Sequence, residues 1–182
     1  YYRPDRTLRS KWLELTNAMR LEAHYEKSEI LGFYVNQFHV TGNGRGIGIA
    51  ARHFFDVDVE ELTVLQSAFL AGLVKAPSRY DPFRGDKADR DTAVELAHQR
   101  TRYVLQRLVD EPEEHLAGPR PSKEPASRRA WEARLAGVAS AKVEAAVLLK
   151  QGFELPFKRG AFRYDSSAIL DEVAHRLEEA PF

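Results

Sequence analysis

The chain has no cysteine among its 182 residues, which excludes disulfides, thiolate metal sites and cysteine nucleophiles. It also has no net charge: 27 Lys and Arg stand against 27 Asp and Glu, whereas a dedicated nucleic-acid binder is normally basic. It has no long hydrophobic run. The longest apolar stretch, about Ala68 to Val74, is broken by Gly72, far short of the roughly 20 residues a membrane-spanning helix needs. The first residues, YYRPDRTLRSKW, contain no apolar signal-peptide core. What is present is 43% apolar and 30% charged. That composition is globular, on a length that fits one domain, with or without a small appendage.

Periodicity predicts a mainly helical fold. Thr7 caps a first helix running to about Ala23, with Leu8, Trp12, Leu15 and Met19 as its core face. Ser28 caps a second, whose apolar side is Ile30, Leu31, Tyr34 and Phe38. The run Gly42-Asn43-Gly44-Arg45-Gly46-Ile47-Gly48 reads as a tight connection with positive φ, and a short helix follows from Ile49 to Phe54. Thr63-Val64-Leu65-Gln66 is a capping box opening an apolar helix to about Val74. Pro77 ends that helix, and Ser78 to Pro82 form a fixed turn. A long helix from Lys87 to Val109 carries Val94, His98, Thr101, Leu105 and Leu108 along one side. The proline- and charge-rich stretch 110–127 is a loop or linker. Helices at about 126–136 and 139–151 follow, then an extended segment from Phe153 to Tyr164 with Phe157 and Phe162, and a last helix from Ser166 or Ser167 to Glu179.

Few residue patterns carry chemistry. On the first helix Lys11, Glu14 and Ala18 share a face distinct from the Trp12/Met19 stripe, and Arg6 and Arg9 lie one turn back. A cationic cluster beside one carboxylate suits a phosphate-bearing group. The blander reading is a solvated face with an ordinary i,i+3 ion pair. The glycine run has the spacing G-x-G-x-G-x-G, with no strand pattern before it and no G-K-S/T after it, so a nucleotide loop is the weaker reading. The histidines (His24, His39, His53, His98, His115 and His175) form no H-E-x-x-H and no i,i+4 pair on one helix, against a metal site. His98 is most simply a core-edge histidine. No G-x-S-x-G nucleophile elbow occurs.

The order of segments says more. K-S-E-I-L-G-F-Y-V-N-Q at 27–37, G-N-G-R-G-I-G-I-A-A at 42–51 and E-L-T-V-L-Q-S-A-F-L-A-G-L-V-K-A-P-S-R-Y-D-P at 61–82 follow one another. In that order they resemble the family 51 peptidoglycan glycosyltransferases, the transglycosylase domains of class A penicillin-binding proteins and of monofunctional transglycosylases. In the first helix Lys11, Glu14, Ala18, Leu21 and Glu22 fall on the family's R-K-x-x-E-x-x-x-A-x-x-L-E pattern. The resemblance covers residues 6–84 well and 100–105 weakly. It divides the chain into a glycosyltransferase part at 1–109, a linker or loop at 110–125 and a helical extension with a short extended segment at 126–182.

The resemblance implies a lysozyme-like helical domain, incomplete at its N-terminus, on the outer, periplasmic face of the bacterial cytoplasmic membrane. It implies polymerisation of lipid II into β-1,4 glycan strands: the acceptor GlcNAc 4-hydroxyl attacks C1 of the donor MurNAc with inversion, and undecaprenyl pyrophosphate leaves. Preorganised cations stabilise such a leaving group. Lys11 matches the donor-site lysine. Glu14 matches the second functional carboxylate, which orients the basic groups and a divalent cation, Mg or Mn, at the pyrophosphate; no other cofactor is implied. Tyr34 and Asn36 match the Y-x-N pair, Lys75 a lysine bordering the substrate cleft, and Arg6 an arginine upstream of R-K. Implied partners are lipid II and the growing strand, the membrane through an anchor ahead of Tyr1, and a transpeptidase domain or other cell-wall synthesis proteins; no nucleic acid is implied.

The chain departs from the pattern at several points. Ser10 stands where the family has the arginine of R-K, and Arg9 points about 100° away on a helix. Gly32 replaces the Glu of I-L-E, and His53-Phe54-Phe55-Asp56 replaces the Y-F-G pattern. The E-D-x-x-F segment with the general-base glutamate, and the T-x-T-Q-Q-L-x-K-N segment, have no counterpart in residues 1–182. The sequence therefore reads as the C-terminal part of a longer enzyme, inactive alone. A diverged, non-catalytic module that binds lipid II or a partner is the second reading. A muramidase or lytic transglycosylase is the third. It needs a positioned carboxylic acid, and Lys11 one turn from Glu14 suits a carboxylate instead.

Overall fold

The computed structural model describes residues 7–37, 39–40, 44–118 and 125–160. These residues form a mainly α structure: α1 (Leu8–His24), α2 (Lys27–Gln37), β1 (His39–Val40), β2 (Gly44–Arg45), α3 (Ile47–Phe55), α4 (Val64–Leu73), α5 (Lys87–Asp110), α6 (Glu113–Ala117) and α7 (Pro125–Gln151). Short 3-10 turns at Val59–Glu61 and Pro77–Arg79 flank α4. The expected capping box at Thr63 is present: the Gln66 N–H donates to Thr63 Oγ1 at 3.2 Å and the Thr63 N–H to Gln66 Oε1 at 2.9 Å. This satisfies two helix-end donors reciprocally. The glycine connection is a two-residue antiparallel ladder, His39 opposite Arg45 and Val40 opposite Gly44. Gly44 and Gly46 have φ of 114° and 105°, a region that L-residues with a Cβ avoid.

The core has two adjoining parts. The first joins Val40, Phe54, Phe55, Phe69, Leu73 and Tyr80. Its rings meet edge to face, Phe54 and Phe69 at 5.2 Å and Phe55 and Phe69 at 5.6 Å between centroids, the geometry aromatic pairs prefer. The second gathers Ala68, Leu105 and Ala145 between α4, α5 and α7. α4 and α5 approach closely because Gly72 faces the Arg100 side chain, where a Cβ would lie 3.0 Å from Cγ.

Several expectations change. The stripe Leu8, Trp12, Leu15 and Met19 is not a core face: α1 buries no residue, and Trp12 is 67% exposed. The α1 helix packs on α2, as at Tyr25 and Phe33 (5.1 Å, edge to face), while the core is built from α3, α4, α5 and α7. Ser28 does not cap α2. The helix starts two residues earlier than a Ser28 cap would place it, at Lys27, where the Glu29 carboxylate accepts from the Glu26 N–H at 2.8 Å. On α2, Leu31 and Tyr34 are exposed. On α5 the buried stripe is Ala93, Ala97, Thr101 and Leu105, with Val94 turned outward; small residues there admit the neighbouring helices. The stretch 110–127 is not all loop, because Pro112 with Glu113 and Glu114 starts α6, proline and acidic residues being favoured at helix starts. The two helices expected at 126–136 and 139–151 are one, running through Gly137, held along α5 and tied to the α6 region by Trp131 Nε1–H donating to the Gly118 carbonyl (2.9 Å) and Lys142 Nζ to the Glu111 carbonyl (2.8 Å). Phe38, Gly42, Asn43, the end of the expected extended segment with Phe162 and Tyr164, and the expected final helix from Ser166 or Ser167 lie outside the described residues.

Candidate functional site

α1 supplies the charged pair singled out by sequence. Thr7 caps it, with the Ser10 N–H donating to Thr7 Oγ1 at 3.2 Å and the Thr7 N–H to Ser10 Oγ at 3.2 Å. Ser10, which replaces the arginine of the R-K pattern, thus completes the helix start instead of supplying a cation. One turn on, Lys11 Nζ meets Glu14 Oε2 at 2.6 Å, with both side chains more than half exposed. A solvated pair of this kind stabilises a fold by only about 0–1 kcal/mol. It sets the two groups side by side, and an ammonium so paired has two further N–H donors for a ligand.

The other candidates are less concentrated. Tyr34 and Asn36 both lie on α2, but residues two apart on a helix point about 200° apart. Tyr34 is 56% exposed. Asn36 lies against the start of α3: a Cβ at Gly46 would stand 3.5 Å from the Asn36 carbonyl oxygen and 3.7 Å from its Oδ1. Lys75 is exposed in the turn after α4, its N–H donating to the Gly72 carbonyl at 3.4 Å. Arg6 lies outside the described residues. The structure therefore joins Lys11 to Glu14 directly, puts Asn36 at the α2–α3 junction, and leaves Lys75 on a separate element. Among the described residues nothing lies within 4 Å of a Cβ added at Gly32, so their packing does not require the glycine that stands in place of Glu.

Sequence reading missed a buried histidine–aspartate pair. His53 Nε2 on α3 lies 4.0 Å from Asp81 Oδ2 in the turn before α5, with both side chains almost fully enclosed. Asp81 Oδ1 also accepts from the Phe83 N–H at 2.9 Å. Burial lowers the His53 pKa below its ordinary 6.5; Asp81 opposes that shift and Arg159 adds to it. Residues 28 positions apart give no local signal, although His53 sits in the departure from Y-F-G and Asp81 in S-R-Y-D-P. The expected divalent cation finds little here. Among the described residues no group of three His, Asp or Glu is placed to hold a metal, and Glu14 already engages Lys11. These residues do not make a cation site by themselves, and no step below uses one. His98 is the core-edge residue expected, its Nε2 donating to the Phe153 carbonyl at 2.8 Å.

A family model described as Transglycosylase matches residues 1–109, through nearly the end of α5. The chain belongs to that family, the transglycosylase domain of class A penicillin-binding proteins. Among curated relatives, penicillin-binding protein 1A of Escherichia coli (strain K12) is 36% identical over 108 residues, 59% of this chain and 12% of the relative. Penicillin-binding protein 1A/1B of Bacillus subtilis (strain 168) is 39% identical over 95 residues, 51% and 10% respectively. Penicillin-binding protein 2D of the same organism is 34% identical over 113 residues, 61% and 16%. The chain thus spans a small part of each relative's length. α6, α7 and residues 152–160 lie beyond the family match.

Proposed function

We propose that this chain is part of a peptidoglycan glycosyltransferase that polymerises lipid II, with residues 1–109 carrying its share of the active site. The observation that carries the reading is the Lys11–Glu14 pair, held at 2.6 Å on an exposed helix face and falling on R-K-x-x-E in a chain of the transglycosylase family. In this reading the acceptor hydroxyl attacks the donor anomeric carbon, the glycosyl–phosphate bond breaks, and undecaprenyl pyrophosphate departs with the bonding electrons. Lys11 stabilises the charge that develops on the pyrophosphate. Glu14 is a positioning residue: it biases the ammonium toward this face of the helix. Asn36 contributes from the α2–α3 junction, Tyr34 and Lys75 are contributors by motif from other faces, Arg6 is a further cation by motif alone, and the acceptor proton leaves to a carboxylate of the E-D-x-x-F type. The site faces the membrane's outer surface, where lipid II and the growing strand are held. No helix among the described residues is long and apolar enough to cross a membrane.

One observation favours a second reading. Ser10 is committed to the helix cap in place of a cation, as suits a relative that binds lipid II without polymerising it. The full-length protein, supplied with lipid II and with preformed cell wall, separates the cases. Glycan strands together with binding of the phosphoglycolipid moenomycin support polymerisation. Retention of lipid II without strands supports the binding module, and solubilised cell wall supports a muramidase.

A further inference from the structure

Beyond α7, residues 152–160 reach α3, the helix whose start abuts Asn36. A helix leaves its last carbonyls without partners, and α3 ends in an enclosed place, with Phe54 and Phe55 buried. Residues 158 and 160 supply what is missing: the Lys158 N–H donates to the Phe54 carbonyl at 2.9 Å and the Gly160 N–H to the His53 carbonyl at 3.3 Å. Lys158 Nζ also meets Asp56 Oδ2 at 2.7 Å. Asp56 is the left-handed residue that ends the helix (φ 58°), and Lys158 holds its carboxyl below the usual carboxylate range. Between these bonds Phe157 enters the aromatic core. It stacks on Phe55 (5.9 Å, 5° between planes) and meets Phe69 edge-on (5.0 Å, 77°). Gly160 passes so close that a Cβ there would run into the Arg52 carbonyl. At the other end of the segment, Phe153 is held by His98, by a hydrogen bond and by ring stacking at 4.4 Å.

We propose that residues 153–160, which lie outside the family match, are a clamp that caps α3 and completes the core of the family-matched part, so that Phe157 and Gly160 act as positioning residues for the α3–Asn36 junction. The clamp combines backbone capping, an ion pair and one half-buried ring packed against the aromatic core, and these act at one helix end. Its loosening would free α3 first, then the Gly46 approach to Asn36, while α7 stays packed along α5. Only the last link, to Asn36, rests on the glycosyltransferase reading.

Hydrogen exchange on the full chain tests the clamp without any activity measurement. In the unaltered protein the amides of Lys158 and Gly160 are expected to be protected together with those of α3. In Phe157→Ala they are expected to exchange at least about tenfold faster, together with α3 and ahead of α7. Gly160→Ala, which removes no packed ring, is the second variant and is expected to show the same local pattern. Should Phe157→Ala fail to fold, Gly160→Ala and the unaltered chain decide. Unprotected amides at Lys158 and Gly160 in the unaltered protein, or α3 exchange unchanged in the variants, would overturn the clamp. Faster α3 exchange with unchanged lipid II polymerisation would keep the clamp and remove its link to Asn36.

Discussion

The α1–α2 arm and the α3–α5 core both fall within the family match, yet they are built on opposite terms. α3 and α4 bury Phe54, Phe55, Phe69 and Leu73, and α5 buries Leu105. α1 buries nothing and carries Trp12, Leu15 and Met19 exposed beside Lys11 and Glu14. The core is fixed by dispersion and apolar burial, which respond steeply to lost volume. The arm is fixed by local helix chemistry, which responds weakly. Lys11, Glu14, Tyr34 and Asn36 sit on the arm, so side chains there can be changed to test function without losing the fold.

That contrast gives a graded set of expectations. Phe69→Ala is expected to cost about 3–5 kcal/mol in denaturant unfolding, against about 0.5 kcal/mol or less for Trp12→Ala. Equal costs would mean that the arm is packed as tightly as the core. Gly72→Val, at the α4–α5 crossing, is expected to cost about 1–3 kcal/mol through overpacking; a neutral result would show that Arg100 swings aside freely. The core is also expected to be sensitive to pH through His53. Its pKa is lowered on folding, so between that value and the ordinary 6.5 the unfolded chain binds the proton more readily. Stability from this group is complete above 6.5 and declines as pH falls through that window. His53→Asn is expected to flatten the melting temperature between pH 7 and 5, and an unchanged slope would assign it to other groups. The smallest effect is expected on the arm. Gly32→Ala on α2 meets none of the described residues within 4 Å and should stabilise by up to about 1 kcal/mol, whereas a loss would show a constraint at Gly32 that those residues do not impose.

Much of this was legible locally. Thr7 and Thr63 mark helix starts because a capping hydroxyl and its partner lie three residues apart, and the glycine run marks positive φ at Gly44 and Gly46. The pattern around Lys11 and Glu14 likewise needs only helical spacing to bring the two together. What was not legible depends on distance in sequence. A helical stripe does not say whether a partner covers it, so Leu8, Trp12, Leu15 and Met19 read as core while lying exposed. The pattern divided 126–151 into two helices, but packing along α5 carries one helix through Gly137. His53 met Asp81, and Phe157 met Phe55 and Phe69, only through tertiary folding. Asn36 and Tyr34 read as a pair by motif, while helix geometry turns them apart.

The most direct measurement is lipid II polymerisation by the full-length protein carrying Lys11→Ala and, separately, Glu14→Gln, with melting temperature recorded beside it. The expected result is a fall in kcat of about a hundredfold or more for Lys11→Ala, the scale of losing one preorganised charge-stabilising donor. A smaller fall is expected for Glu14→Gln, with both melting temperatures near that of the unaltered protein because the pair is solvated. Near-normal strand synthesis by both folded variants would contradict the assignment of the leaving-group site to α1.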